Sequence, residues 1–144
     1  MEFLRNTGFP LQKSLIITGD SDSDGMSEIY FFTLSSDSII LHCIYDIRSS
    51  GLPAANRLIA VAGKGIKVPD PFIIPGELED LDGDGLKELI FGIGTGFSRY
   101  PRNVFAYYIS KDSLAESPES SYYIWKIFQT DITGDGKREI IPYG

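Results

Sequence analysis

Asp80-Leu-Asp-Gly-Asp-Gly-Leu-Lys-Glu88 is followed directly by Leu-Ile-Phe91, and the same nine-residue pattern recurs twice. The other copies are Asp20-Ser-Asp-Ser-Asp-Gly-Met-Ser-Glu28 and Asp131-Ile-Thr-Gly-Asp-Gly-Lys-Arg-Glu139. Their first aspartates lie 60 and 51 residues apart, close to the range in which self-similarity marks solenoids, propellers or arrays. Each period should then hold one supersecondary unit. Strand-favouring residues flank every copy. Behind the motifs come 28–33, 88–91 and 139–141, and before them 14–18, 71–74 and 125–130, so each loop reads as a hairpin connection. Further strand candidates at 38–45, 56–62, 103–109 and 121–124 bring the unit to about four strands. Gly-, Pro- or Ser-rich breaks fall at 48–55, 63–71, 94–102 and 110–120. No sustained helical period and no linker divides residues 1–144, so one all-β domain is expected.

The loops carry a definite chemistry. A hard cation such as calcium takes six to eight oxygens at about 2.3–2.6 Å, and carboxylates at alternate positions of a tight loop converge on one point. Positions 1, 3, 5 and 9 supply Asp20, Asp22, Asp24 and Glu28; Asp80, Asp82, Asp84 and Glu88; and Asp131, Thr133, Asp135 and Glu139. Position 6 is glycine throughout, where a sharp turn needs backbone freedom. The backbone carbonyl of position 7 (Met26, Leu86, Lys137) is the expected further ligand. Thr133 removes one charge, so the third site should be the weakest. An EF-hand would need a glutamate at position 12 and flanking helices, but that position holds Phe31, Phe91 and Pro142.

These residues resemble the FG-GAP, or VCBS, repeats of integrin-like β-propellers, whose pattern is Asp-x-Asn/Asp-Gly-Asp-Gly-x-x-Asp/Glu followed by apolar strand residues. Asp80 to Phe91 matches nearly throughout, and Phe91-Gly92 stands where the family's Phe-Gly element falls. Ser23 and Thr133 are the departures. The resemblance implies four-stranded antiparallel blades with structural calcium in the loop joining the first two strands. It also implies a platform for recognition, adhesion or ligand sensing, binding a protein or carbohydrate outside the cell or in the periplasm. The stretch 92–117 is also similar to propeller ectodomains of bacterial sensor proteins. The alternative is an accessory propeller of a secreted carbohydrate- or lipid-acting enzyme whose catalytic part lies elsewhere.

The periods give about two and a half blades, whereas closed propellers have about 4 to 8. The expectation is therefore a segment of a larger propeller, with the remaining blades as its first partners.

Composition fits this reading. The net charge of −7 argues against nucleic acid or an anionic membrane, and no apolar run approaches the length of a membrane span. Eleven of the twenty acids sit in the three motifs, and with those set aside the remaining nine acids face the chain's thirteen bases, so the acidity is local. Other chemistry is thin. His42 and Cys43 are adjacent in a strand and should point to opposite faces, which leaves no catalytic pair, and no enzymatic site is expected. Gly63-Lys-Gly65 and Gly92–Phe97 lack nucleotide-loop spacing and read as turns. The tyrosines and Trp125 read as core packing, and Arg99, Tyr100 and Arg102 as an exposed loop available to a ligand.

Overall fold

A computed structural model describes residues 16–34, 38–44, 54–61, 71–95, 102–118 and 120–144. Arg99, Tyr100, the 63–65 turn, Phe97 and the strand ends at 14–15, 45 and 62 lie outside them. The described residues are all-β, without helix, in three antiparallel sheets. The first has four strands in the order β1 (Ile16–Gly19), β2 (Glu28–Leu34), β3 (Ser38–Ile44) and β4 (Ala54–Val61). The second has β5 (Pro71–Glu79), β6 (Glu88–Thr95), β7 (Val104–Tyr108) and β8 (Ser113–Glu116) in the same order. The third pairs β9 (Lys126–Thr130) with β10 (Glu139–Tyr143).

Each sheet opens with a hairpin around one of the acidic loops, and the register is the same in all three. Gly19 stands opposite Glu28, Glu79 opposite Glu88 and Thr130 opposite Glu139. The residues behind each glutamate are β-branched, aromatic or leucine, which suits a pleated and buried surface.

The second sheet is the middle layer. Because side chains alternate along a strand, Leu89, Phe91 and Ile93 of β6 face the first sheet, joined by Ile73, Phe105 and Tyr107. There they meet Tyr30, Phe32, Ile39, Leu41 and Cys43. Phe91 sits at the centre, 4.7 Å from the Phe32 ring and 5.2 Å from Phe105. On the other face Ile74, Ile90 and Val104 pack with Ile124 and Ile127. Burial on both faces explains why β6 reads as an unbroken apolar run. Gly92 makes the second contact close: a Cβ there would lie 3.0 Å from Ile127 Cδ1 and 3.4 Å from Ile74 Cδ1.

His42 and Cys43 separate as expected. Cys43 enters the core, whereas His42 stacks on Phe31 at 4.6 Å and shares a 2.8 Å hydrogen bond with Thr33 Oγ1.

Five expectations need correction. β5 extends to Glu79, carried past Pro75-Gly76 by a register shift before Leu78. β8 lies inside the stretch read as the 110–120 break: a tight turn at Ile109–Asp112, with Asp112 at φ 43° and its carboxylate accepting a 2.7 Å bond from the Tyr107 hydroxyl, returns the chain against β7. Residues 121–124 form no strand, because Ser120 Oγ bonds both the N–H and the carbonyl of Tyr122 and turns the segment. Finally, Tyr30 and Tyr107 are core, but Tyr122 (79% exposed) and Trp125 (64% exposed) are not. Trp125, Phe128 and Tyr143 border a surface hollow, while Ile127 takes the buried side of β9. Arg102 is also buried, its guanidinium 4.5 Å over the Tyr123 ring, rather than displayed in a loop.

Phe91→Ala should lower the unfolding free energy by about 3–5 kcal/mol, measured by chemical denaturation. A loss below about 1 kcal/mol would show that this aromatic cluster is not the centre of the core.

Candidate metal centres

Each loop is a short turn shaped by left-handed backbone positions. Gly25, Gly85 and Gly136 at position 6 have φ of 86°, 86° and 85°, and Gly83 and Gly134 at position 4 have 79° and 75°. Nothing lies within 4 Å of a Cβ built at any of the five, so the requirement is conformational rather than spatial. Ser23 adopts the same turn at φ 64°.

The first aspartate organises the turn. Its Oδ2 accepts the position-6 amide at 3.0 Å from Gly25, 2.9 Å from Gly85 and 2.8 Å from Gly136. Where position 4 is glycine, its N–H reaches the other oxygen, as in Gly83 to Asp80 Oδ1 at 2.7 Å. Position 5 caps position 7: Asp24, Asp84 and Asp135 accept from the amides of Met26, Leu86 and Lys137 at 2.7–2.9 Å. The ninth residue closes the loop. Glu28 Oε2 accepts from Ser21 N at 2.7 Å, Glu88 Oε2 from Leu81 N at 2.8 Å and Glu139 Oε2 from Ile132 N at 2.7 Å. In the first loop the Ser21 hydroxyl adds a 2.6 Å bond to Glu28 and lies 2.7 Å from the Tyr30 hydroxyl, whose ionisation burial makes harder still.

Carboxylate oxygens consequently converge in three places. Asp20, Asp22 and Glu28 offer oxygens within 4.8 Å of one another, as do Asp80, Asp82 and Glu88, and Asp131, Asp135 and Glu139. These groups could each hold a metal ion. The sequence placed position 5 beside position 3 as a ligand, and the tight groups of the first two loops contain position 3 without Asp24 or Asp84. In the third, Thr133 directs its hydroxyl to Glu139 Oε1 at 3.1 Å and Asp135 joins the group instead.

The donor chemistry fits a hard divalent cation, since every side chain offered is an oxygen ligand. Two observations strengthen the fit. Asp20 Oδ1 is buried and accepts no hydrogen bond, a costly arrangement for a carboxylate oxygen unless a cation satisfies it. Glu88 is buried to 1% exposure, and burial pushes its carboxyl above the usual range, with Asp82, Asp84 and Asp80 adding to the rise. A cation would offset that concentration of like charge.

Adjacent loops are tied together. Lys87 N donates to Ser21 O at 2.8 Å and Ser23 Oγ to Gly85 O at 3.3 Å, while Arg138 pairs with Glu79 at 3.2 Å. No local pattern points to Lys111. From the β7–β8 turn it bonds Asp82 and approaches Asp84 at 3.6 Å, holding the Asp82 carboxyl below its ordinary range while its own ammonium is raised. Only the folded pairing of β7 with β6 brings it there.

Comparison of the chain with protein-family models, curated proteins and solved structures finds no match.

Lys111→Met should raise the affinity of the second loop for any added divalent cation it holds about fivefold at low ionic strength, because a competing cation is removed, with the gain shrinking in salt. Calorimetric titration beside the parent protein checks this. A weaker second site would mean that Lys111 arranges the ligands rather than competing for them.

Proposed function

We propose that the three loops bind calcium as a structural cation, and that the chain is a segment of an FG-GAP/VCBS-type β-propeller serving recognition, adhesion or ligand sensing. The observation that carries the reading is the recurrence of one loop geometry three times, each at the same hairpin register and with its carboxylates converging. Two of the hairpins open four-stranded sheets, the size of a propeller blade, and the sheets pack face to face through apolar cores. Calcium would bridge residues at the two ends of each turn and stiffen the side of the domain where neighbouring loops are tied.

The cation's role here is to hold shape. The carboxylates that would bind it also fix the loop backbone, leaving rigid loops and exposed surface to meet a protein or carbohydrate ligand. Extracellular modules commonly bind calcium at about 10⁻⁴–10⁻³ M, which favours a setting outside the cytosol. An accessory propeller of a secreted enzyme would use the loops in the same way.

Calcium titration by calorimetry should give three sites, the third weakest because Thr133 supplies no charge and Glu139 is more exposed than Glu28 or Glu88. Asp82→Ala should remove one site. Saturation at a hundredfold excess over Kd should stabilise the fold by about 2.7 kcal/mol per site. An unchanged number of sites in Asp82→Ala would sink the assignment.

A further inference from the structure

The first and second loops meet around one residue, Leu86. Lys87 N donates to Ser21 O at 2.8 Å, and Ser23 Oγ donates to Gly85 O at 3.3 Å, so the peptide units on both sides of Leu86 are held by the first loop. The unit before it is clamped twice, since its N–H also donates to Asp84 Oδ1 at 2.9 Å. The unit after it joins Leu86 O to Lys87 N. In a planar trans peptide the C=O points opposite to the N–H, so holding Lys87 N–H on the first loop aims Leu86 O away from it. Leu86 O is the seventh-position carbonyl, the expected further ligand of the second loop.

The accepting end is placed just as closely. Ser21 lies between Asp20 and Asp22, two members of the first carboxylate group, and its N–H and hydroxyl both donate to Glu28, the third member, at 2.7 and 2.6 Å. Ser21 is buried, and its neighbour Asp20 carries the buried oxygen that accepts no hydrogen bond. The stems of the two loops leave no slack beneath it: a Cβ on Gly19 would lie 2.6 Å from Leu78 Cδ1. The tie between the second and third loops is of another kind. Arg138 and Glu79 form an ion pair between partly exposed side chains, which engages no backbone group.

We propose that the first two loops take their cations as a coupled pair, with Ser21 and Ser23 as positioning residues for the seventh-position carbonyl of the second site. The proposal rests on the calcium reading of the loops. Filling the first loop fixes Asp20 and Asp22 on either side of Ser21. Ser21 O is then held still for Lys87 N–H, and Leu86 O is presented to the second loop with less ordering left to do. In the other direction, drawing charge toward Leu86 O polarises its peptide and makes Lys87 N–H a stronger donor to Ser21 O. By linkage each loop strengthens the other by the same factor. Charge alone gives the opposite sign, since two divalent cations in neighbouring loops repel.

The test follows each site separately in the whole chain, through the NMR signals of the Gly25, Gly85 and Gly136 amides during calcium titration. Asp22→Ala, which disables the first loop, should weaken calcium binding at the second about fivefold or more. Ser23→Ala keeps every ligand and charge, and should weaken the second site about twofold through the lost bond to Gly85 O. Glu77→Gln removes one charge from an exposed position on β5 outside the loops, and should change the second site less than about twofold. In Asp82→Ala, calcium at the first loop alone should slow hydrogen exchange at Lys87 N–H. A second site that is unchanged or tighter in Asp22→Ala overturns the coupling, as does equal weakening by Glu77→Gln. Should Asp22→Ala fail to fold, Ser23→Ala decides, and parent affinity at its second site overturns the proposal. Titration of the parent separates the two levels. Calcium sites that fill independently of one another defeat the coupling alone, whereas no calcium response at Gly25 or Gly85 defeats the calcium reading beneath it.

Discussion

The hydrogen bond from the second-position amide to the ninth-position glutamate is the constraint on which the rest of this structure depends. It closes each loop across its own mouth, and it does so on Ser21, Leu81 and Ile132 alike. Since the glutamate is also the first residue of the outgoing strand, closing the loop sets the hairpin register. A one-residue slip would turn every following side chain to the wrong face. In β6 that would exchange Phe91 for Ile90 and Gly92 on the side facing the first sheet, and the aromatic cluster could not form.

From that register the layering follows. β6 buries side chains on both faces, so its alternate residues must suit two different neighbours. Large residues at 89, 91 and 93 meet the first sheet, while isoleucine and glycine at 90 and 92 accept the approach of Ile127. The Phe-Gly pair thus has a division of labour: phenylalanine fills one interface and glycine permits the other. The third hairpin docks only one face of β9 among the described residues, which is why its aromatics are exposed while those of β2 and β6 are buried.

What was legible in the sequence is what local chemistry dictates. The loops could be read because a left-handed turn demands glycine and because amide capping demands carboxylates at fixed spacing, and neither requirement depends on distant residues. Most strand positions were legible for the same reason. β8 was not, since Ser-Leu-Ala-Glu has no strand character of its own and is held by pairing with β7. Nor could Lys111 be placed beside Asp82, because 29 residues and two strand pairings separate them. The aromatic residues misled for a related reason. Tyr30 and Trp125 have similar local surroundings, and only the arrangement of sheets decides that one is buried and the other exposed.

The third loop clarifies how a single glutamate can serve both the fold and a cation. In every copy Oε2 is committed to the second-position amide, which leaves Oε1 as the oxygen free to take a further partner. In the third loop the Thr133 hydroxyl donates to that oxygen at 3.1 Å, where the other loops place an aspartate at the same position. An aspartate there cannot donate a hydrogen bond and instead adds negative charge beside the glutamate. The exchange of aspartate for threonine therefore changes two things together: it lowers the charge of the loop and it replaces repulsion with an internal hydrogen bond. The first two loops accumulate charge that a cation would relieve, whereas the third relieves part of it from within the chain. The same nine-residue frame can thus be graded in its demand for metal by one side chain, without altering the clamp that sets the strands.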